Sequence, residues 1–254
     1  MDDPIRSDRP GWPPGIDGLA ISAWLCILGV GAALVAGAVL LAELMPAGSG
    51  HLYKAIGGYV LILLPLLAFL HAHRPNTRFG SANTVTLIRA AIVCLLASLY
   101  GEHWFDIGLL VTGIAILALS LDGVDGWLAR LKGSQSRFGA RFDMETDALL
   151  ALALSALAWE SGTAGAWVML AGLMRYGFIA AAMVWHWMNR PLPESRRRKI
   201  LCVWQLIALI ACVAPILPDG LRTAAAVAAV AMVAWSFAID VDWLIRRRRL
   251  PLGP

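Results

Sequence analysis

The stretch DGVDGWLARLKGSQSRFGARFDMETD, from Asp122 to Asp147, decides how the rest of the chain is interpreted. It carries two pairs of carboxylates inside an otherwise apolar region, Asp122 with Asp125 and Asp143 with Asp147. On an α-helix, residues at i, i+3, i+4 and i+7 share a face, and so do residues at i, i+4 and i+8. One face then holds Asp122, Asp125, Gly126 and Ala129, and another holds Gly139, Asp143 and Asp147. The spacing predicts two half-sites that face each other across one short basic turn.

The composition of the 254-residue chain is that of a polytopic membrane protein. Hydrophobic residues make up 59% and charged residues only 15%, and the mean hydropathy is +0.70, which lies outside the soluble globular range. The net charge is +4, but the basic residues cluster at the ends of apolar segments rather than along an aromatic-studded surface. We therefore expect a lipid bilayer, and no nucleic acid, as a partner.

Hydropathy predicts an all-α bundle of about eight transmembrane helices. A polar, proline-rich leader occupies residues 1–17, a two-helix transmembrane hairpin with its linker occupies residues 18–82, and a six-helix core with a basic C-terminal tail occupies residues 83–254. The expected spans are residues 19–44, 55–70, 84–100, 105–131, 139–160, 165–189, 200–217 and 221–245.

Basic residues occur in alternate connections between these spans. They cluster at Arg74 and Arg78, at Arg130, Lys132, Arg137 and Arg141, at Arg190 and Arg196 to Lys199, and at Arg246 to Arg249. The intervening turns hold one basic residue in total, Arg222. The positive-inside rule then places the basic turns and both termini in the cytoplasm. We expect a protein of the cell's inner membrane with the carboxylate cluster at its cytoplasmic face.

Four close carboxylates in apolar helices require positive charge among them. Each charge near a membrane helix centre costs roughly 2.5 to 3.5 kcal/mol, so four cost on the order of 10 kcal/mol before their mutual repulsion. All-oxygen ligands favour a hard divalent cation, Mg²⁺ first with Mn²⁺ or Ca²⁺ as alternatives, and two pairs on facing helices suit two ions. Two adjacent metals can hold a diphosphate. Taken singly, Asp122 could instead be a buried partner of an arginine.

Small residues lie beside the carboxylates. Gly126, Ala129 and Gly139 let a bulky group approach the backbone, and Arg130 suits a phosphate oxygen. This combination indicates a phosphate-containing substrate.

The stretch resembles the signature of the CDP-alcohol phosphotransferases, also called CDP-alcohol phosphatidyltransferases. It matches D-x2-D-G-x2-A-R-x8-G-x3-D-x3-D at all eight fixed positions over 26 residues. Residues 83–89, NTVTLIR, are similar to the family's PN-x-(L/I/V)-T-x-x-R segment, with Ala82 in place of proline. Residues 199–205, KILCVWQ, are similar to its GK-x-x-T-x-x-Q segment, with Arg198 and Cys202 at the glycine and threonine positions. The resemblance extends over residues 83–247 and implies that the six-helix core is catalytic.

The resemblance implies transfer from a CDP-linked lipid donor to a small polar alcohol, with two metal ions and release of CMP. Asp122, Asp125 and Asp143 would bind the metals, and Asp147 would complete the second metal site or act as the general base. The CDP group would contact Gly126, Ala129, Arg130, Gly139, Asn83 and Arg89. The acceptor would contact Arg175, Arg198, Lys199 and Gln205. We also expect a homodimer.

Weaker interpretations of the basic residues stay open. Arg175 could pair with an aspartate instead of an acceptor phosphate, since an arginine inside a membrane span faces a cavity or an acidic partner. Arg198 and Lys199 belong to a basic loop that could bind anionic lipid headgroups.

Two other protein classes place carboxylates in a membrane. A cation- or proton-coupled transporter spreads them through the bundle, whereas here they gather at the ends of two consecutive helices. An intramembrane prenyltransferase favours DDxxD-like runs, whereas this chain has DGVDG followed by AR. Within the favoured class, glycerol 3-phosphate, serine, inositol phosphate and choline are all possible acceptors, and diacylglycerol could instead accept a headgroup from CDP-choline or CDP-ethanolamine.

Overall fold

The described part of the chain is almost entirely helical. The computed structural model describes residues 18–44, 50–73, 76–102, 104–131, 136–190, 192–193 and 195–247. These residues form eight α-helices and no strand, which confirms the predicted all-α class. The helices are α1 (Gly18–Leu44), α2 (Gly50–Phe69), α3 (Ser81–Ser98), α4 (Trp104–Leu131), α5 (Arg137–Glu160), α6 (Met169–Val184), α7 (Arg196–Val213) and α8 (Asp219–Arg247). The predicted leader, residues 1–17, and the end of the basic tail, residues 248–254, lie outside the described residues.

The helices identify a membrane protein. Among the described residues, six are long and apolar enough to cross a bilayer: α1, α2, α3, α4, α6 and α8. The other two, α5 and α7, carry concentrated charge in their N-terminal parts, with Asp143, Glu145 and Asp147 in α5 and the run Arg196 to Lys199 in α7. Several of these charges have partners inside the bundle, since Asp143 and Asp147 pair with Arg89 and Glu145 pairs with Arg175.

Three predicted spans have ends that differ by four or five residues in the structure. One of them is α7, which extends over Arg196–Val213 rather than residues 200–217. Helix α2 begins at Gly50 rather than at Ala55, and it continues through Pro65. The span expected over residues 165–189 is wrong as a single helix, because α6 ends at Val184 and Trp185 is extended, with φ −105° and ψ 93°. A short 3₁₀ turn, His186–Asn189, follows. The Asn189 side chain donates to the carbonyl of Ala182 over 2.9 Å, which satisfies a carbonyl that the helix end leaves open.

Helix α3 lies between two apolar cores. One core joins α3 to α4, α5, α7 and α8, and includes Leu96, Leu154 and Leu209. The other joins α3 to α1 and α2, and includes Ile27 and Tyr59. Since both cores share α3, the N-terminal hairpin packs against the first helix of the predicted core.

Two residues permit a very close crossing of α5 and α6. A Cβ atom added to Gly172 of α6 would lie 2.5 Å from the Cα and 3.0 Å from the backbone nitrogen of Leu152 in α5. No side chain can occupy that space without moving a helix. Because glycine has no side chain, Gly172 allows α6 to approach α5, the helix that carries Asp143 and Asp147, this closely.

Candidate active site

The second half of α4 and the first half of α5 bring three aspartates together. The carboxylate oxygens of Asp122, Asp143 and Asp147 lie within 4.8 Å of one another. Their side chains are 24%, 40% and 18% exposed, so the cluster is partly accessible from outside. The predicted meeting of the two half-sites is confirmed for these three residues. The side chains of Asp125, Ala129 and Arg130 lie outside the part of the chain that the structure describes.

A single arginine from α3 bridges the three aspartates. Arg89 is only 1% exposed. Its Nη1 lies 2.6 Å from Asp143 Oδ1 and 3.2 Å from Asp122 Oδ1, and its Nη2 donates to Asp147. The described cluster therefore contains three carboxylates and one guanidinium, which leaves it with an excess of negative charge.

This donor set fits a divalent metal ion. Three carboxylates each offer one oxygen, and these oxygens lie within 4.8 Å of one another. Oxygen donors suit hard cations. Three carboxylates and one guanidinium leave two negative charges, and one divalent ion would compensate both. Asp122, Asp143 and Asp147 are thus the described residues that could hold it.

The N-terminus of α5 is held by a chain of hydrogen bonds from the hairpin linker. Ser136 is the N-cap, and its Oγ accepts from the backbone nitrogen of Gly139 over 2.9 Å. His73 Nδ1 lies 2.9 Å from the same Oγ, and His73 Nε2 lies 3.1 Å from the carbonyl oxygen of Arg78. Since a carbonyl only accepts, Nε2 carries a proton, and in the neutral ring Nδ1 then accepts from the Ser136 hydroxyl.

The environment of His73 favours this neutral tautomer. The ring is 3% exposed and lies edge-on to Phe138, with ring centroids 5.6 Å apart. Burial lowers the pKa of His73 from its usual 6.5, and the hydrogen bond to the Arg78 carbonyl opposes this only in part. Sequence reasoning missed this chain of contacts, although a serine directly before a helix is a signal for an N-cap.

Gly139 allows α5 to approach α3 at the edge of the cluster. An added Cβ would lie 2.8 Å from Asn83 Oδ1 and 3.3 Å from Ser136 Oγ. Asn83 is itself held by a 2.6 Å hydrogen bond from its Nδ2 to the Phe79 carbonyl. The predicted nucleotide contacts Asn83 and Gly139 are therefore neighbours.

The four predicted acceptor contacts do not join the aspartates, and three of them have partners elsewhere. Arg175 pairs with Glu145 over 2.6 Å, which is neither an acceptor phosphate nor one of the four aspartates. Arg198 lies 3.5 Å from Asp240 and donates to the Pro193 carbonyl. Gln205 donates to the Ala171 carbonyl over 2.8 Å. Lys199 is exposed. Their role in acceptor binding stays a prediction.

Comparison with known proteins identifies the family. The family model for CDP-alcohol phosphatidyltransferase matches residues 79–239. The chain belongs to the CDP-alcohol phosphatidyltransferase family. No curated protein and no solved structure matches the chain. This phosphatidyltransferase is therefore a phosphotransferase of a typically metal-dependent family, and the aspartates, Arg89 and Ser136 all lie inside the matched region. The hairpin and His73 lie before it.

Proposed function

We propose that this membrane phosphatidyltransferase moves the phosphatidyl group of CDP-diacylglycerol to a small polar alcohol and releases CMP. The observation that carries the proposal is the convergence of Asp122, Asp143 and Asp147 within 4.8 Å in a chain of this family. Oxygen ligands at that separation suit a cation that binds a diphosphate. We propose Mg²⁺ as the metal, as two ions, with Mn²⁺ as the alternative.

The aspartates have different roles in the proposed reaction. Asp122, Asp125 and Asp143 would hold the metals, which when bound stabilise the charge of the diphosphate. Asp147 is 18% exposed and would take the proton from the acceptor hydroxyl. The hydroxyl oxygen then forms a bond to the β-phosphorus, and the bond from that phosphorus to the bridging oxygen breaks. CMP leaves with the electron pair.

Other residues would place the donor. Gly126, Ala129, Arg130, Gly139 and Asn83 are proposed to contact the cytidine diphosphate. Arg89 is proposed to contact it as well, from its place among the carboxylates. The diacylglycerol chains would stay in the bilayer, with the nucleotide at the cytoplasmic face of the inner membrane.

The experiment is CMP release from labelled CDP-diacylglycerol by the purified protein in detergent. Acceptors would be tested one at a time: glycerol 3-phosphate, serine, inositol phosphate and choline. CDP-choline and CDP-ethanolamine with diacylglycerol test the reversed arrangement. We expect metal-dependent CMP release with one acceptor, and none with a chelator.

Two outcomes would contradict the proposal. Consumption of a prenyl diphosphate without CMP release from any CDP donor would favour a prenyltransferase. Metal-dependent ion flux without either reaction would favour a transporter.

A further inference from the structure

A long apolar groove lies between the N-terminal hairpin and the core. Its volume is about 830 Å³, and α2, α3, α5 and α6 all contribute to its wall. The lining includes Leu61 and Pro65 of α2, Ala97 of α3, and Leu149, Leu152 and Ala156 of α5. From Lys54 to Phe69 the groove follows 16 residues of α2, and the 15 rises between them, at about 1.5 Å each, give roughly 22 Å.

The groove and the aspartates lie on different faces of α5. Arg141, Glu145, Leu149, Leu152 and Ala156 line the groove, and they follow one another at the three- and four-residue intervals of one helix face. Asp143 and Asp147 are offset from this row by two residues, or about 200° around the helix. A molecule in the groove is therefore separated from the proposed reaction by α5 itself.

The polar groups of the groove lie at its two ends. At one end Lys54 donates to the Tyr100 carbonyl over 2.5 Å and lies 3.5 Å from Glu102, so its charge has a partner. At the other end Glu145 pairs with Arg175. Arg137 and Arg141, one helical turn apart at that end, are both exposed, and no carboxylate of the described residues lies within ion-pair distance of either.

Arg141 is held at the mouth of the groove. Its guanidinium carbon lies 4.7 Å from the centre of the Phe69 ring, at the end of α2. The stacking leaves the guanidinium N–H groups free to bind a phosphate oxygen. Two cationic groups above a deep apolar groove are complementary to a molecule with an anionic head and long apolar chains.

We propose that this groove binds a phospholipid with an anionic headgroup as a resident lipid. Its phosphate lies between Arg137 and Arg141, and its acyl chains lie along α2 and α5. A groove of roughly 22 Å is longer than half of a hydrocarbon layer about 30 Å thick, so it holds the chains over their full depth in one leaflet. This lipid is distinct from the CDP-linked donor, and the proposal does not depend on the proposed reaction.

The test uses the full chain in vesicles of phosphatidylcholine with and without phosphatidylglycerol. Native mass spectrometry of the released protein counts the phosphatidylglycerol that each chain retains. Arg137→Gln with Arg141→Gln is expected to weaken this retention roughly 10- to 30-fold, because each basic residue near a lipid headgroup contributes about 1 kcal/mol. Arg137→Lys with Arg141→Lys keeps the charges and is expected to keep most of the retention.

A matched control separates the groove from general attraction to an anionic surface. Arg246 and Arg247 are also exposed and lie at the end of α8, away from the groove. Arg246→Gln with Arg247→Gln removes the same charge and is expected to leave retention unchanged. Ala156→Leu fills part of the groove and is expected to reduce retention without changing a charge.

Three results would overturn the proposal. The first is that Arg246→Gln with Arg247→Gln lowers phosphatidylglycerol retention as much as Arg137→Gln with Arg141→Gln does. The second is that Arg137→Gln with Arg141→Gln leaves retention unchanged. The third is that the parent protein retains phosphatidylcholine and phosphatidylglycerol equally. Light scattering in detergent tests the other occupant, a second copy of the chain. A dimer that Ala156→Leu dissociates would assign the groove to a protein interface instead.

Discussion

Arg89 binds the three described aspartates through both terminal nitrogens of one guanidinium. It is buried, and removing one partner of a buried ion pair costs about 3 to 5 kcal/mol because the remaining charge is uncompensated. A divalent metal bound by the same carboxylates supplies charge of the same sign. With the proposed metal bound, Arg89 and the metal ion would together neutralise the cluster.

Arg89→Gln is expected to make the protein depend on metal for stability. Without divalent metal, the thermal midpoint falls because three carboxylates lose their cation. Adding Mg²⁺ is expected to raise the thermal midpoint more in the variant than in the parent. The reason is that the variant's aspartates lack the Arg89 charge, so the metal ion compensates more negative charge there. Thermal unfolding in detergent, with chelator and with Mg²⁺, measures both effects.

Arg175→Gln is the matched control for this prediction. It also breaks an ion pair, with Glu145, but Glu145 is not among the three clustered carboxylates. The thermal midpoint is expected to fall while the increment from Mg²⁺ stays at the parent value. An Arg89→Gln increment no larger than that of Arg175→Gln would contradict the shared role.

Asp147→Asn is expected to abolish turnover and to leave binding of the CDP donor largely intact. Asparagine keeps the shape of the side chain but cannot take a proton, and loss of a general base lowers rates by about 10² to 10⁴-fold. CMP release measures turnover, and equilibrium binding of labelled CDP-diacylglycerol measures the donor. Normal turnover in the variant would refute the assignment of Asp147 as the base.

The sequence predicts the aspartate cluster better than it predicts the cations around it. Asp143 and Asp147 share a helix face by their spacing alone, so their approach to Asp122 follows from a short hairpin between two helices. Arg89 reaches them from α3, across 54 and 58 residues of chain. That contact depends on how three helices pack, which no local pattern encodes. The pairing of Arg175 with Glu145 was missed for the same reason.

The α5–α6 crossing provides a test of helix packing. Gly172→Ala is expected to destabilise the protein, because its Cβ would lie 2.5 Å from the Leu152 Cα and backbone cannot move aside as a side chain can. Overpacking of this kind costs about 1 to 3 kcal/mol, and part of the strain is transmitted to α5. Both the thermal midpoint and CMP release should fall.

Gly177→Ala, in the same helix, gives the comparison. Nothing lies within 4 Å of the Cβ that it would add, and alanine favours a helix over glycine by about 1 kcal/mol. We expect an unchanged or slightly higher thermal midpoint. If the two variants were equally stable, the close crossing would not be supported.

The existence of the helices follows from hydropathy, whereas several helix ends do not. About 20 apolar residues are required to cross a bilayer, and largely apolar segments of 16 to 27 residues predicted all eight helices. The end of α6 at Val184 lies inside a continuous apolar segment with no proline or glycine to mark it. It is stabilised by Asn189 folding back onto Ala182, a contact that the hydropathy of the segment cannot indicate.

The order of the helices leads to a prediction about topology. Eight helices in the described residues place the two ends of the chain on the same side if each crosses the bilayer once, and the basic connections predict that this side is the cytoplasm. An alkaline phosphatase fused after the C-terminus is expected to be inactive, and a fluorescent protein at that position is expected to fluoresce.

A fusion between α3 and α4 is the control for the topology experiment. The turn at Gly101 and Glu102 lies on the opposite side in this arrangement, so phosphatase fused there should be active. Phosphatase activity at the C-terminus would contradict the eight-span arrangement. The homodimer stays a prediction, which light scattering in detergent also tests.

The hydrogen bond between His73 and Ser136 has a consequence for how the protein is made. The hairpin leaves the ribosome before the helices that follow it, and it has contacts at the start of α3. The backbone N–H of Phe79, just before α3, donates to Ser22 Oγ over 2.9 Å, and Cys26 Sγ lies 3.4 Å from Thr84 Oγ1. His73 meets Ser136 only after 63 further residues have been synthesised. The contact that holds the N-terminus of α5 therefore joins an early part of the chain to a part that is synthesised later. A wrongly inserted hairpin would leave Ser136, the N-cap of α5, without its contact to His73. The start of α5 would then be affected before α6, α7 and α8 are synthesised.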